Sequence, residues 1–343
     1  MHNASEQQVK TARRPTRDDV ASEAQLSGAT VWRVLSGRTD VSISEETRAK
    51  VLEAARRLGY QVNASARALM TGKSGLVGFW MSLAYSRYRS QVLDHMRAIL
   101  GQTELAMAVT DVDEEFHWDH SFSRALRVPV DGIIAFDTSA SGEIFAQNHH
   151  RLAPYTPFVS MGAYWSEAKS FVGIDLAAGA DEAMDHLIGT ARKRIAYIAP
   201  VASGLLNEGV RYEAYAKKMS EAGLEPLVLS CEKVSPKSLE ETLRSASTTP
   251  EALLCMNDDL ALVTATAAGR LGLKVGQDLA IVGFDGLEET EYAACPITTV
   301  RQPIEEMCSL TWQFLKAQIE DPTAPIQQRI LKPELVIRDS SRA

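Results

Sequence analysis

From Val20 onward the apolar positions keep the rhythm of short helices. Val20, Ala21 and Ala24, then Val31, Val34 and Leu35, then Val51, Leu52, Ala55 and Leu58 recur at spacings of three and four, which lines one face of each of three amphipathic helices. Ser27 stands where a cap belongs, before GATVWRVL. Ser44 does the same before a turn rich in Glu45 and Glu46, with Thr47 three residues on, and Gly59 ends the third helix. Two helices of about eight or nine residues joined by Gln25 and Leu26 make a helix-turn-helix, whose second helix would offer its N-terminal residues to a major groove. A three-helix bundle that binds nothing is the competing reading.

Beyond Gly72 the pattern changes to short apolar runs alternating with helical stretches. Leu76–Met81, Leu105–Thr110, Gly132–Phe136, Phe158–Met161, Ile195–Ala199, Ala252–Met256 and Leu279–Phe284 read as buried strands. Tyr88–Leu100, Ala177–Ile188, Tyr212–Glu221 and Asp259–Leu271 read as helices between them. The alternation predicts parallel sheets covered by helices on both faces, with ligands beyond the carboxyl ends of the strands.

Charge divides the chain at the same place. The formal net charge of −8 over 343 residues argues against nucleic acid as a partner, but residues 1–73 hold twelve Lys and Arg against eight Asp and Glu, leaving twenty-four against thirty-six for the rest. A small basic module joined to an acidic core has this asymmetry. No run of eighteen apolar residues predicts a membrane span, and the start MHNASEQQVKTARR lacks the apolar run of a signal peptide, so a cytoplasmic protein is expected. Cys231, Cys255, Cys295 and Cys308 are far apart, which suits reduced, mostly buried thiols rather than zinc or disulfides.

The run DVASEAQLSGATVWRVLSG, the following SEETRAKVLEAARRLGYQVNASARAL, and the later FDG and PITTV segments resemble the LacI/GalR family of bacterial transcription regulators, over nearly the whole chain from Thr16 to Ser341. The resemblance implies a small all-α helix-turn-helix domain with a hinge helix, joined to an α/β core of two parallel-sheet subdomains of periplasmic-binding-protein type. The implied boundaries are a tail over 1–14, the helix-turn-helix over 15–60 and the hinge over 61–73. One subdomain would comprise 74–175 with 301–329, the other 176–300 with 330–343, with crossings near Asp175, Val300 and Ile330.

Carried over residue by residue, Thr16, Ser27, Thr30, Thr47, Tyr60 and Asn63 fall where relatives touch phosphates, and Gly28, Ala29 and Arg33 where they read bases. Hydroxyls and helix N-terminal N–H groups can position the protein, while Arg33 can donate a bidentate pair to a guanine edge. Gly28 and Ala29 would contribute close approach and thymine-methyl contact. Three positions depart from the family pattern. Gln25 replaces the usual Gly or Asn of the turn, where a left-handed backbone would cost about 1–2 kcal/mol. Trp32 replaces a serine; its indole N–H can reach a phosphate or its ring can pack on the neighbouring helix. The loop SGRTDVSIS is two residues longer than in the family's type protein. Asn63 to Leu69 is too short for a stable isolated helix; the resemblance implies that it folds on DNA, with Ala66 and Arg67 in the minor groove and Leu69 wedging a base step.

In the core the resemblance places Arg211, which opens RYEAY with Ala214 in place of a glycine, on the ligand. Asp285 would accept its hydroxyl or N–H groups, and Asn257 of the Asn257-Asp258 pair is the better candidate of the two. Relatives stack an aromatic residue on the ligand from a later loop, but Ala216 to Pro250 contains no Phe, Tyr or Trp. An aromatic wall around Trp80 and Ser82 is therefore expected, with Tyr85, Tyr88, Tyr164 and Trp165 as further candidates. Gly162 stands where many relatives place a polar side chain. An arginine opposed by a carboxylate suits a sugar or sugar derivative, and fits an amino acid, a nucleobase or an organic acid as well.

No catalytic set emerges. TGKSG lacks the earlier glycine of a phosphate loop, His117 and His120 of HWDH form a lone pair, and no Gly-x-Ser-x-Gly elbow is present. The expectation is a non-enzymatic repressor without metal or cofactor, binding a pseudo-palindromic double-stranded DNA operator as a homodimer under a small-molecule effector. The chain ends soon after ELVIRDSS, leaving no room for a zipper that would join dimers. A ligand-binding or transport-type module without DNA function is the alternative.

Overall fold

A computed structural model describes residues 13–36, 42–60, 72–82, 86–112, 125–163, 165–201 and 209–342. It divides into two compact units, Met1–Gly75 and Leu76–Ala343.

In the first unit, α1 (Arg17–Ala24), α2 (Gly28–Leu35) and α3 (Glu45–Leu58) enclose a small core of Val20, Val31, Val34, Val51 and Ala54. All three starts are capped, those of α2 and α3 by the serines the sequence predicts. Thr16 and Asp19 form a reciprocal capping box, Ser27 Oγ accepts from Thr30 N at 3.1 Å, and Ser44 Oγ accepts from Thr47 N at 3.2 Å. Gln25 takes the left-handed conformation (φ 54°, ψ 45°), as does Gly59 after α3. A non-glycine residue at this turn stores strain that the buried valines on either side must outweigh.

The second unit contains two six-stranded sheets. The amino-terminal lobe uses β1 (Leu76–Met81), β2 (Ala106–Asp111), β3 (Gly132–Phe136), β4 (Phe158–Gly162), β5 (Ser170–Ile174) and β11 (Gln328–Leu331), in the order β11-β5-β4-β3-β1-β2. The carboxyl-terminal lobe uses β6 (Ile195–Pro200), β7 (Leu227–Cys231), β8 (Ala252–Cys255), β9 (Ala280–Asp285), β10 (Thr298–Arg301) and β12 (Glu334–Val336), in the order β12-β10-β9-β8-β6-β7. Pairing is parallel except for β12, which runs antiparallel to β10. The predicted strands are present within one residue at each end, and β5, β7, β10, β11 and β12 complete the sheets.

Helices α4 (Arg87–Leu100), α5 (Ser139–Leu152), α6 (Leu176–Gly189), α7 (Val210–Glu221), α8 (Pro236–Ser245), α9 (Asp258–Arg270), α10 (Glu289–Tyr292) and α11 (Ile304–Glu320) cover the sheets. The chain passes between lobes three times: after β5, between β10 and α11, and at Lys332–Pro333, between β11 and β12. The last passage lies two residues beyond Ile330, which itself pairs with Gly173 inside the amino-terminal sheet.

Alternation along β1 sorts its side chains between two layers. Val77, Phe79 and Met81 enter the main core with Tyr88 and Phe136, whereas Trp80 points the other way, into a layer with Phe145 and Phe158. The four cysteines are free, three of them buried.

Candidate functional site

Two surfaces emerge, one on each unit. On the first, burial of Val31 and Val34 turns the other side of α2 outward: Ser27, Ala29 and Arg33 are exposed, while Gly28, Thr30 and Trp32 are half-buried. Gly28 is not required by the fold. A Cβ there would lie 3.8 Å from Arg17 Nε and Asp18 Oδ1, ordinary contact distance, so the unit itself leaves room for a side chain at this position. Thr16 is exposed, and Thr47 and Tyr60 half-buried, at the ends of α1 and α3. Asn63, Ala66, Arg67 and Leu69 lie outside the described residues, as do Tyr85, His117, His120 and Tyr164.

The second surface lies where the carboxyl ends of the two sheets face one another. Arg211, at the second position of α7, follows Gly209, whose φ of 87° turns the chain into the helix. Its guanidinium lies 4.7 Å from the centroid of the Phe284 ring and its Nη2 lies 3.6 Å from Asp285 Oδ1. Arg211 Nε is buried without a hydrogen-bond partner. Asp285 Oδ1 also accepts from Gln302 Nε2 at 2.9 Å, and Gln302 Oε1 accepts from the Tyr88 hydroxyl at 2.8 Å. Hydrogen bonds and an ion pair thus run from the amino-terminal lobe through Gln302 to Asp285 and Arg211. A second tie lies nearby, where Arg87 Nη1 meets Asp259 Oδ1 at 2.9 Å and its Nε lies 3.7 Å from Glu289.

The two members of the Asn-Asp pair have local duties. Asn257 caps α9, accepting from Leu260 N at 2.9 Å. Asp258 is fully buried and accepts from Gly286 N, Leu287 N and the Thr299 hydroxyl at 2.8, 2.8 and 2.7 Å. These bonds fix the turn after β9 and hold Asp285 at φ 114°, a region costly for any residue but glycine. Burial pushes the Asp285 carboxyl up to about 7, against the opposing pull of Arg211 and Gln302, with Asp259 and Asp137 adding to the rise. Burial likewise raises Asp258 and Tyr88.

Of the five residues expected around the ligand, Arg211 and Asp285 come together and Asn257 sits at the same strand ends. Ser82 is buried just beyond β1. Trp80 is 1% exposed and packs edge-on against Phe145, ring centroids 4.7 Å apart. The aromatic wall expected from it is absent because strand alternation turns it into the opposite layer. Trp165 stacks on Phe171 instead. Aromatic groups at the cleft come from Tyr88 and from Phe284, whose face carries Arg211.

Gln302 and Asp137 had no signal in the sequence. Asp137 follows β3 in a left-handed conformation (φ 47°), and its Oδ1 accepts from Ala163 N at 2.6 Å. Gly162, at φ 103°, makes room for it: a Cβ there would fall on Asp137 Oδ1. The space beside Gly162 is thus filled by the carboxylate that follows β3. Among the described residues no group of His, Cys, Asp or Glu could hold a metal ion, and no helix is long and apolar enough to cross a membrane.

Residues 16–63 match the family described as bacterial regulatory proteins, lacI family, and residues 184–341 match the periplasmic binding protein-like domain. The chain is 31% identical over 342 residues to the HTH-type transcriptional regulator DegA of Bacillus subtilis (strain 168), covering 94% of this chain and 97% of that protein. It is 26% identical to a ribose operon repressor of Halalkalibacterium halodurans, over 94% and 96% of the two chains. Among solved structures, a Lacl family regulator from Silicibacter pomeroyi superposes with a TM-score of 0.81 at 21% identity, covering 96% of this chain and 100% of that one. A lac repressor dimer bound to operator and an anti-inducer gives 0.79 at 23%, with the same coverage.

Proposed function

Because this chain belongs to the lacI family of bacterial regulatory proteins, we propose that it is a sequence-specific, non-enzymatic DNA-binding repressor, acting in the cytoplasm as a homodimer whose operator affinity is set by a small molecule between the two lobes. The observation that carries the reading is Gly28: a glycine the fold does not need, at the exposed head of a helix whose opposite side is buried. Thr16, Ser27, Thr30, Thr47, Tyr60 and Asn63 would hold phosphates, and the Trp32 indole N–H would reach the backbone. Arg33 would read a guanine edge, and Gly28 and Ala29 would read by close contact. Ala66, Arg67 and Leu69 would enter the minor groove. A two-fold dimer reads a pseudo-palindrome, so the operator is expected to be one.

In the core, Arg211 and Asp285 would grip the effector, with Asn257 and Ser82 at the margin. One relative is named a ribose operon repressor and a similar solved structure holds bound ribose, and a polyhydroxylated effector fits an arginine beside a carboxylate. Its leverage is differential affinity for the open and closed arrangements, typically about 1–3 kcal/mol of coupling. The test is selection of DNA from a random library by the full chain, followed by a salt-titrated gel shift. A palindrome bound far above random duplex, with affinity falling steeply in salt, is expected. Equal binding to random duplex would overturn the reading.

A further inference from the structure

A cavity of about 370 Å³ lies at the pole of the carboxyl-terminal lobe away from the cleft, where α8 and α9 end and β8 and β9 begin. β9 has six residues, so at about 3.3 Å each the cavity and the cleft are about 20 Å apart. The floor is apolar: Leu243 and Leu279 are buried and Leu273 is half-buried. After α9 the chain turns at Gly272 (φ 79°), and Leu273 N donates to Ala268 O, which brings Leu273 back beside the helix end. Two arginines stand at the rim, Arg244 in the last turn of α8 and Arg270 at the end of α9. Cations there complement the helix dipoles, which accounts for their place at helix ends but not for an open apolar floor beneath them. Of the acids on the bordering segments, Glu240 is engaged by Arg270 at 3.4 Å, Glu251 by Arg194 at 2.8 Å and by two backbone N–H groups, and Asp278 by Lys274 N at 2.8 Å; Glu241 is exposed and does not line the cavity. Arg244 is exposed and pairs with no carboxylate among the described residues. Thr249, whose carbonyl accepts from Arg194 Nε at 2.8 Å, adds a hydroxyl to the lining.

We propose that this cavity is a second small-molecule site, separate from the cleft, which takes an organic acid with a compact apolar body: an aryl or branched aliphatic carboxylate. A neutral apolar molecule would use the floor and leave the arginines idle, and a sugar would use the arginines and leave the leucines wet; an apolar acid uses both. Its carboxylate meets the Arg244 guanidinium, whose planar fork matches two carboxylate oxygens, with Arg270 and the Thr249 hydroxyl as further donors. The carbonyl ends of α8 and α9 oppose an anion deeper in the groove, so the charge stays at the rim and the apolar body goes to the leucines. The cavity lies wholly within one lobe, and filling it requires no closure of the two lobes on each other.

The test uses the full chain at about pH 7, where simple carboxylic acids are ionised. Saturation-transfer NMR and calorimetric titration compare benzoate with benzamide, phenylacetate with phenylacetamide, and isovalerate with isovaleramide. At least one acid is expected to bind at least about tenfold tighter than its amide, and Arg244→Gln to remove that preference. Arg244→Lys keeps the charge without the fork and is expected to recover part of it. The Arg244 side chain is exposed, so an unchanged melting temperature without ligand certifies the fold of both variants. Amides binding as well as the acids, no acid binding, or a preference that survives Arg244→Gln would each overturn the proposal. Operator selection in the gel shift is a separate readout: its failure removes the regulator reading, whereas failure of the acid preference alone leaves that reading standing.

Discussion

The Tyr88 hydroxyl donates to Gln302 Oε1 at 2.8 Å, joining α4 of the amino-terminal lobe to the segment that leaves the carboxyl-terminal sheet. Both residues are buried. Tyr88→Phe removes the donor and leaves a buried acceptor, so a loss of about 1–3 kcal/mol of stability is expected in chemical denaturation. The variant's lobes should also separate more readily, giving a larger radius of gyration in solution scattering. An unchanged radius would assign the bond to stability alone.

Asp285 ties stability to pH in an unusual direction. Its carboxyl is held at about 7 in the folded chain against 3.8 for an ordinary aspartate. Between those values the folded state keeps a proton that the unfolded state has lost, so this group's contribution to stability falls as pH rises through the window and is level above it. Asp285→Asn cannot ionise and asparagine tolerates positive φ better. Relative to the parent it should therefore gain on the order of a few kcal/mol by about pH 7, and little near pH 4. Denaturation midpoints across that range check the sign; a difference that grows toward acid would contradict it.

Gly162 and Asp137 form a packing pair. A methyl group at residue 162 would collide with the carboxylate and sit at φ 103°, so Gly162→Ala is expected to destabilise by about 1–3 kcal/mol. Combining it with Asp137→Gly removes the collision but not the backbone strain, and should recover part of the loss. Full additivity of the two changes in a double-mutant cycle would show that they do not interact.

At the head of α2 the fold and the function should separate. Gly28→Ala meets only ordinary contacts and raises helix propensity, so stability should hold or rise by up to about 1 kcal/mol. Operator affinity should fall, because the methyl group keeps the helix from the groove floor. Arg33→Ala should cost about 1–3 kcal/mol at one base position and relax selectivity there. Melting curves with gel shifts on matched and mismatched operators give both readouts.

The first unit was almost fully legible because its signals are local: caps at Ser27 and Ser44, apolar spacing, and Gly59 as a stop; the Thr16 cap of α1 emerged only in the structure. The central strands were legible as uninterrupted apolar runs. Among the strands not predicted are TTVR, whose threonines are buried and bonded to Asp258, Arg338 and Ser341, and QRIL, which is mostly exposed at a sheet edge. Neither resembles a hydrophobic run. Trp80 was assigned to the cleft by its nearness to a strand end, but the face it occupies depends on the phase of β1 against its neighbours. Gln302 bonds Asp285 and Tyr88, 17 and 214 positions away, and Asp137 bonds Ala163, 26 positions away, contacts that no local pattern records.

The three passages between lobes also set an order of events during synthesis. Each sheet receives its final edge strand, β11 or β12, from residues 328–336, and the amino-terminal sheet waits as well for α11. The helix-turn-helix unit, by contrast, is contiguous and complete once residue 60 has left the ribosome. A nascent or prematurely terminated chain would therefore carry a finished reading head on lobes unable to close around a ligand, a fragment able to touch DNA and deaf to its signal.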